Sequence, residues 1–230
     1  MSEKKERPIL FNGAMVRAIL EGRKTVTRRV VKPQPDFLGS MVDPTTPFMT
    51  LDAGLHARIV CPFGKPGDRL WVRETFATLG NEDGVAIDWN DNMVRGDERG
   101  AARIYRASCG VGDYGLWQIP DKAFWKPDTN GVQYEGTWRP SIHMPRWASR
   151  ILLEITHVRV ERLQDITRSD IRAEGLQCPP ELASDDVSPN YRDWYPAAFR
   201  DLWNSTGGDW DANPWVWVVE FKRVEPPYGM

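Results

Sequence analysis

NGAMVRAILEGRKTVTRRV, residues 12–30, sets how the rest of the chain is read. Asn12 is a helix cap, because its side-chain oxygen can accept a bond from a free backbone N–H of the first turn. Phe11, Met15 and Ile19 recur four residues apart, with Val16 and Leu20 beside them. That spacing predicts an amphipathic helix of about three turns. Gly22 supplies the stop, since glycine adopts the left-handed conformation past a helix end without a Cβ penalty. Beyond it Lys24, Val26, Arg28 and Val30 alternate with Thr25, Thr27, Arg29 and Val31, a β-branched run that predicts a strand. Lys24 and Thr27 therefore fall at a helix-to-strand junction, amid Arg23, Arg28 and Arg29. A hydroxyl, a tunable amine and fixed cations within six residues make a compact polar site; a solvated basic turn is the other reading. A lysine just past a helix stop is expected to be replaceable at a cost under about 1 kcal/mol.

Thirty Lys and Arg against 32 Asp and Glu leave a formal net charge of −2 in 230 residues, so any nucleic-acid surface is local rather than global. Of the eleven tryptophans, Trp71, Trp215 and Trp217 fall in predicted strands and belong to the core. Trp89, Trp117, Trp125, Trp138 and Trp147 fall in or beside loop-like sequence, where packing under a loop competes with stacking on a base. Cys61, Cys109 and Cys178 are far apart and odd in number, which excludes a disulfide framework and a CxxC metal signature and fits a reducing cytoplasm. No phosphate loop or HExxH motif occurs, and no cofactor or metal is expected. No apolar run approaches the roughly 20 residues of a membrane span.

Residues 1–7 read as a charged, frayed tail and 8–11 as a short strand or anchored lead-in. Residues 32–63 begin with KPQPDFLGSMVDPTTP and read as a loop or inserted excursion. KPGD then makes a turn into a strand with Leu70, Val72 and Glu74 on one face and Trp71, Arg73 and Thr75 on the other. Residues 77–140, rich in Gly, Asp, Asn and Pro, read as an insertion held down by its tryptophans, with one strand at Ala102 to Ala107. A turn or short helix after Ser141 leads to a long strand from about Arg150 to Arg162, with a bulge expected in a strand of that length. Thr167 caps a short helix that stops at Gly175. After a Pro/Ser/Asp loop at 177–190, a helix from about Asp193 to Asn204 has Pro196 in its first turn and Tyr195, Phe199, Leu202 and Trp203 on its apolar face. Trp215 to Val224 is the closing strand, expected to have a neighbour on both sides or to close a barrel, because its exposed edge would invite aggregation.

GRKTVTRR after an amphipathic helix, KPGDRLWVRETF, LLEITHVRVERLQDIT, DIRAEGL and FRDLW…NPWVWVVEFKRV together resemble the ASCH domain, especially the larger versions carried by bacteria and their phages. The resemblance covers residues 9–31, 64–76 and 146–224 less a loop. It implies an α+β fold, a PUA-like partly open β-barrel with helices across its mouth. Residues 8–230 would form one such domain with insertions at about 32–63 and 77–140. RNA or a modified nucleoside is the implied ligand.

One branch of that superfamily removes the acetyl group from N4-acetylcytidine. Its lysine, a threonine three residues later and a glutamate in the helix after the long strand are matched here by Lys24, Thr27 and Glu174. Amide hydrolysis needs a nucleophile, a proton carrier and an oxyanion holder. Thr27 supplies the hydroxyl, and Lys24 is a candidate base if burial and Arg23 and Arg28 lower its pKa. Glu174 would orient the lysine or act on a water, and Arg28 or backbone N–H groups would hold the oxyanion. The identity of the base stays open, because Glu174 pushes the lysine the other way. Arg23, Arg28, Arg73, Glu74, Arg146 and Trp147 are the candidate nucleoside or RNA contacts; Glu74 suits a cytosine N4 amine, and Arg146 with Trp147 suits phosphate and base stacking. A binding module without catalysis and a ribonuclease, metal-aided or metal-free, are the alternatives in the same basic cleft.

Overall fold

A computed structural model describes residues 4–39, 46–51, 54–109, 119–126, 137–179 and 189–225, with the backbone alone for 189–193. Its strands are β1 (Glu6–Leu10), β2 (Val26–Val30), β3 (Phe37–Leu38), β4 (Pro47–Thr50), β5 (His56–Arg58), β6 (Arg69–Arg73), β7 (Phe76–Thr78), β8 (Arg103–Tyr105), β9 (Leu152–Arg162) and β10 (Trp215–Val224). Its α-helices are α1 (Gly13–Leu20), α2 (Arg168–Ala173) and α3 (Pro189–Ser205). Five strands form one sheet in the order β1-β6-β9-β10-β2, which leaves β1 and β2 as edges. The chain is therefore α+β, with a core built mainly on open sheet. No helix among the described residues is long and apolar enough to cross a membrane.

The start and stop signals of the first helix act as the sequence predicts, but α1 has eight residues, just over two turns rather than three, and β2 is shorter than the alternating run of residues 24–31. Asn12 Oδ1 accepts from the Met15 N–H at 2.9 Å, and Gly22 takes a φ of +75° at the stop. β1 starts at Glu6, inside the stretch read as a tail. The alternation Leu70, Val72, Glu74 is buried, while Trp71, Arg73 and Thr75 are half-buried.

The chain divides into two compact units. The first comprises residues 1–7, 18–70 and 153–224. Here β10 lies between β9 and β2, as an apolar closing strand requires. Its antiparallel register with β2 runs from Val216 opposite Val30 to Glu220 opposite Val26. One face of this pair, Val26, Val216 and Val218, packs with Leu163, Ile171, Tyr195, Phe199 and Trp203 in a shared apolar cluster. α3 meets that cluster through residues four apart, Tyr195, Phe199 and Trp203. The helix starts earlier than predicted, so Pro196 lies inside it rather than in its first turn. Residues 32–63 are more ordered than a loop: β3, β4 and β5 make a small antiparallel sheet, with Phe37 stacked on Phe48 at 5.5 Å.

The second unit comprises residues 8–17, 71–152 and 225–230. β7 and β8 pair antiparallel, Ala77 opposite Ile104, and β8 falls within the predicted Ala102 to Ala107 strand. Ala77, Leu79, Ile87, Ala102, Ile104, Ile119 and Ala123 form their own apolar cluster. Of the tryptophans, Trp138 packs against this cluster, while Trp125 pairs with Gly80 through the backbone and stays exposed. Phe76, Tyr105, Met144 and Ala148 form a second cluster against Trp147. Trp117 and most of the 177–190 loop lie outside the described residues.

Candidate functional site

Lys24 and Glu174 are 150 residues apart in sequence and in direct contact. Two backbone devices bring them together in the first unit. The N–H groups of Arg23 and Lys24 both donate to the Ala18 carbonyl, at 2.8 and 3.0 Å, which closes the turn after α1. The Thr25 N–H donates to the Ala173 carbonyl at 2.8 Å, and Lys24 bridges Glu174 as an antiparallel pair. Thr167 caps α2 by accepting from the Asp170 N–H at 3.1 Å, so the helix that carries Glu174 at its end starts where the sequence says. Gly175 stops it with a φ of +97°, and a Cβ there would lie 2.8 Å from Ala18 Cβ and 3.0 Å from Lys24 Cβ. Only glycine fits so close an approach at that φ.

The Lys24 side chain is 0% exposed and that of Glu174 is 4% exposed. This corrects the expectation of a lysine on a solvated turn. Lys24 Nζ donates to Glu174 Oε2 at 2.5 Å, to the Val26 carbonyl at 2.8 Å and to the Glu174 carbonyl at 3.0 Å. Three acceptors around one nitrogen require three N–H donors, so in this arrangement Lys24 is an ammonium. Burial nonetheless pulls its pKa below the usual lysine value; Glu174 opposes that shift, and Arg29 and Arg28 add to it.

The pair is one end of a larger charge network. Arg28 donates from Nη1 to Glu174 Oε1 at 3.2 Å and from Nε and Nη2 to Glu161 Oε1 at 3.0 and 2.6 Å. Its Nη2 also lies 3.0 Å from Asp170 Oδ2. Arg159 then bonds Glu161, Asp170 and Glu220. Burial raises the Asp170 pKa, but Arg28, the Thr167 bonds and Arg159 outweigh it and hold the carboxyl below its ordinary value. A buried arginine with three carboxylate partners is the arrangement in which desolvation is best repaid.

Thr27 is 1% exposed and sits opposite Val219. Side chains alternate along a strand. Thr27 therefore shares a face with Arg29, Trp217 and Val219, whereas Arg28 shares the other with Val26 and Val218. Lys24, Arg28 and Glu174 meet directly, and Thr27 is on the face of β2 opposite to Arg28. Arg23 bonds Glu21 and donates to the Gly175 carbonyl at 2.5 Å, at the rim of the network.

The remaining candidates belong to the second unit. Glu74 is 2% exposed and accepts a two-pronged bond from Arg150, Nε to Oε1 at 2.9 Å and Nη2 to Oε2 at 3.0 Å. Arg150 lies 4.0 Å from the Tyr105 ring centre, and Tyr105 donates its hydroxyl proton to the Ala148 carbonyl at 2.9 Å. Arg73 stacks over Trp71 and donates to the Ile142 carbonyl. Trp147 packs on Phe76 and Tyr105 and carries Arg103 at 5.4 Å, so its ring is a structural support; Arg146 is half-buried beside it.

Arg150, Arg159, Glu161, Asp170 and Glu220 escaped sequence reasoning. An arginine opening an apolar strand, and an Arg-x-Glu pair within β9, were the available signals. No protein-family model, curated protein or solved structure matches the chain.

Proposed function

We propose that the protein recognises RNA or a modified nucleoside and hydrolyses an acylated base amine of the N4-acetylcytidine type, with the Lys24–Glu174 pair as its centre. The same reading takes the open sheet as a PUA-like barrel of an ASCH domain working in the cytoplasm. The contact between Lys24 and Glu174 across 150 residues carries the proposal. The chemistry follows from the charge states. Lys24 is a cation and acts by electrostatics on the developing oxyanion. Glu174, flanked by Lys24 and Arg28, accepts the proton of the attacking hydroxyl and returns it to the departing base amine. A water nucleophile releases the carboxylic acid in that one step, whereas attack by Thr27 leaves an acylated threonine that a water then cleaves to the acid and the free hydroxyl.

The assay is release of cytidine from N4-acetylcytidine by purified protein. Lys24→Ala and Glu174→Gln are expected to lower turnover roughly 10²-fold or more, the scale of a general acid–base group. Thr27→Ala matches that loss, and Thr27→Ser retains activity, only if the threonine is the nucleophile. One observation favours a second reading, a binding module without catalysis: every N–H of Lys24 is already occupied and the pair is closed to solvent. Wild-type protein that never releases cytidine but binds RNA with a steep salt dependence establishes that reading instead.

A further inference from the structure

The second unit contains a cavity of about 280 Å³ lined by Arg17, Glu74, Thr75, Arg106, Cys109 and Trp138, with Gly13 and Ala107. Its chemistry is unlike the Lys24 network, where cations and carboxylates saturate one another. The Arg106 guanidinium lies 5.6 Å from the Trp138 ring centre and makes no hydrogen bond or ion pair among the described residues. A cation held by an aromatic face is oriented without using its N–H donors, and arginine has five of them. Arg17, exposed on α1, makes a single long bond among the described residues, Nη1 to the Ala107 carbonyl at 3.4 Å. Two arginines with open donors on one cavity are a receptor for a phosphate or other oxyanion.

Glu74 would repel such an anion were it not already neutralised by Arg150. Arg150 takes one lone pair from each carboxylate oxygen, and each oxygen keeps a second. Glu74, nearly buried, lines the cavity and has acceptor capacity left for an N–H donor, the role a carboxylate plays toward a cytosine N4 amine. Burial pushes the Cys109 thiol up despite Arg150 and Arg106, so it stays neutral and supplies no nucleophile. The volume lies at the lower limit of small-molecule sites, enough for one nucleotide rather than a strand.

We propose that this cavity binds a nucleoside monophosphate with an amino-bearing base, the phosphate between Arg17 and Arg106 and the base amine on Glu74. The assignment stands on the second unit alone and does not depend on deacylation at Lys24. Isothermal titration of the full chain with cytidine monophosphate tests it, beside uridine monophosphate, cytidine and inorganic phosphate. Cytidine monophosphate is expected to bind tightest. Affinity is expected to fall about tenfold or more without the phosphate, with uracil in place of cytosine, and in Arg17→Ala and Arg106→Ala. Both arginines are exposed, and circular dichroism verifies that the variants fold. Inorganic phosphate binding as tightly as cytidine monophosphate would reduce the site to an anion hole and overturn the nucleotide assignment. So would affinity within about twofold of wild type in both arginine variants, the resolution of the comparison. Failure of N4-acetylcytidine hydrolysis leaves these titrations untouched.

Discussion

Replacing Lys24 by alanine tests the buried network directly. The substitution removes the donor at 2.5 Å from Glu174 Oε2, leaving that carboxylate with Arg28 at 3.2 Å on its other oxygen. It also strips the ammonium from the Val26 and Glu174 carbonyls and empties the volume of a fully buried side chain. Breaking one side of a buried ion pair costs about 3–5 kcal/mol. The orphaned carbonyls, at roughly 1 kcal/mol each, and the cavity add to it, while Arg28 offsets part by keeping a cation on Glu174. The expected loss is about 4 kcal/mol, a large share of the 5–15 kcal/mol that holds a typical domain. Urea unfolding followed by circular dichroism measures it. Lys24→Met combined with Glu174→Leu, which removes both charges and retains apolar volume, is expected to be less damaging than Lys24→Ala. A loss under about 1 kcal/mol in Lys24→Ala refutes the reasoning, because it means water already solvates Glu174.

The remaining expectations concern the same unit. Gly175→Ala drives a methyl against Ala18 and Lys24 at a φ unfavourable to alanine, so it is expected to cost about 1–3 kcal/mol and lower the melting temperature. Thr167→Ala removes the α2 cap and is expected to cost about 1 kcal/mol by urea titration. Asp170 has a folded pKa below its ordinary value of 3.8, so its contribution is present above that value and is lost as the pH falls through the folded pKa. Asp170→Asn is therefore expected to destabilise at neutral pH and to flatten the acid limb of a stability–pH curve; an unchanged limb counts against its pairing with Arg28. Lys24 has the opposite dependence: its folded pKa lies below 10.5, the unfolded chain holds the proton longer, and its contribution improves as the pH rises between the two. A comparison of wild type with Lys24→Met across alkaline pH reads that slope.

Elements whose signals are local were legible in the sequence. Asn12 and Thr167 mark helix starts through their side-chain oxygens, Gly22 and Gly175 mark helix ends through their backbone, and the valines and Trp217 of β10 identify a buried strand without knowledge of its neighbours. Phe37, Phe48 and His56 form a small sheet from strands of two to four residues, too short for period-two alternation to emerge among prolines. α3 begins at Pro189, where the helical period is masked by polar residues and by Pro196. The meeting of Lys24 and Glu174 rested on resemblance. Their burial did not follow from it, because only the tertiary stitching of Thr25 to Ala173 encloses them. Arg159 and Glu220 pair through the sheet, a contact no sequence spacing encodes.

The register that sets Thr27 opposite Val219 joins positions 192 residues apart. At ribosomal speeds of about 5–20 residues per second, β2 has emerged for roughly 10–40 seconds before the strand that completes it exists. For that interval it is an incomplete edge, and its sequence suits the wait: Arg28 and Arg29 within the strand and Lys24 just before it keep a nascent segment soluble and discourage pairing with the wrong chain. The cations that later neutralise Glu161, Asp170 and Glu174 serve first as the newborn strand's protection against aggregation.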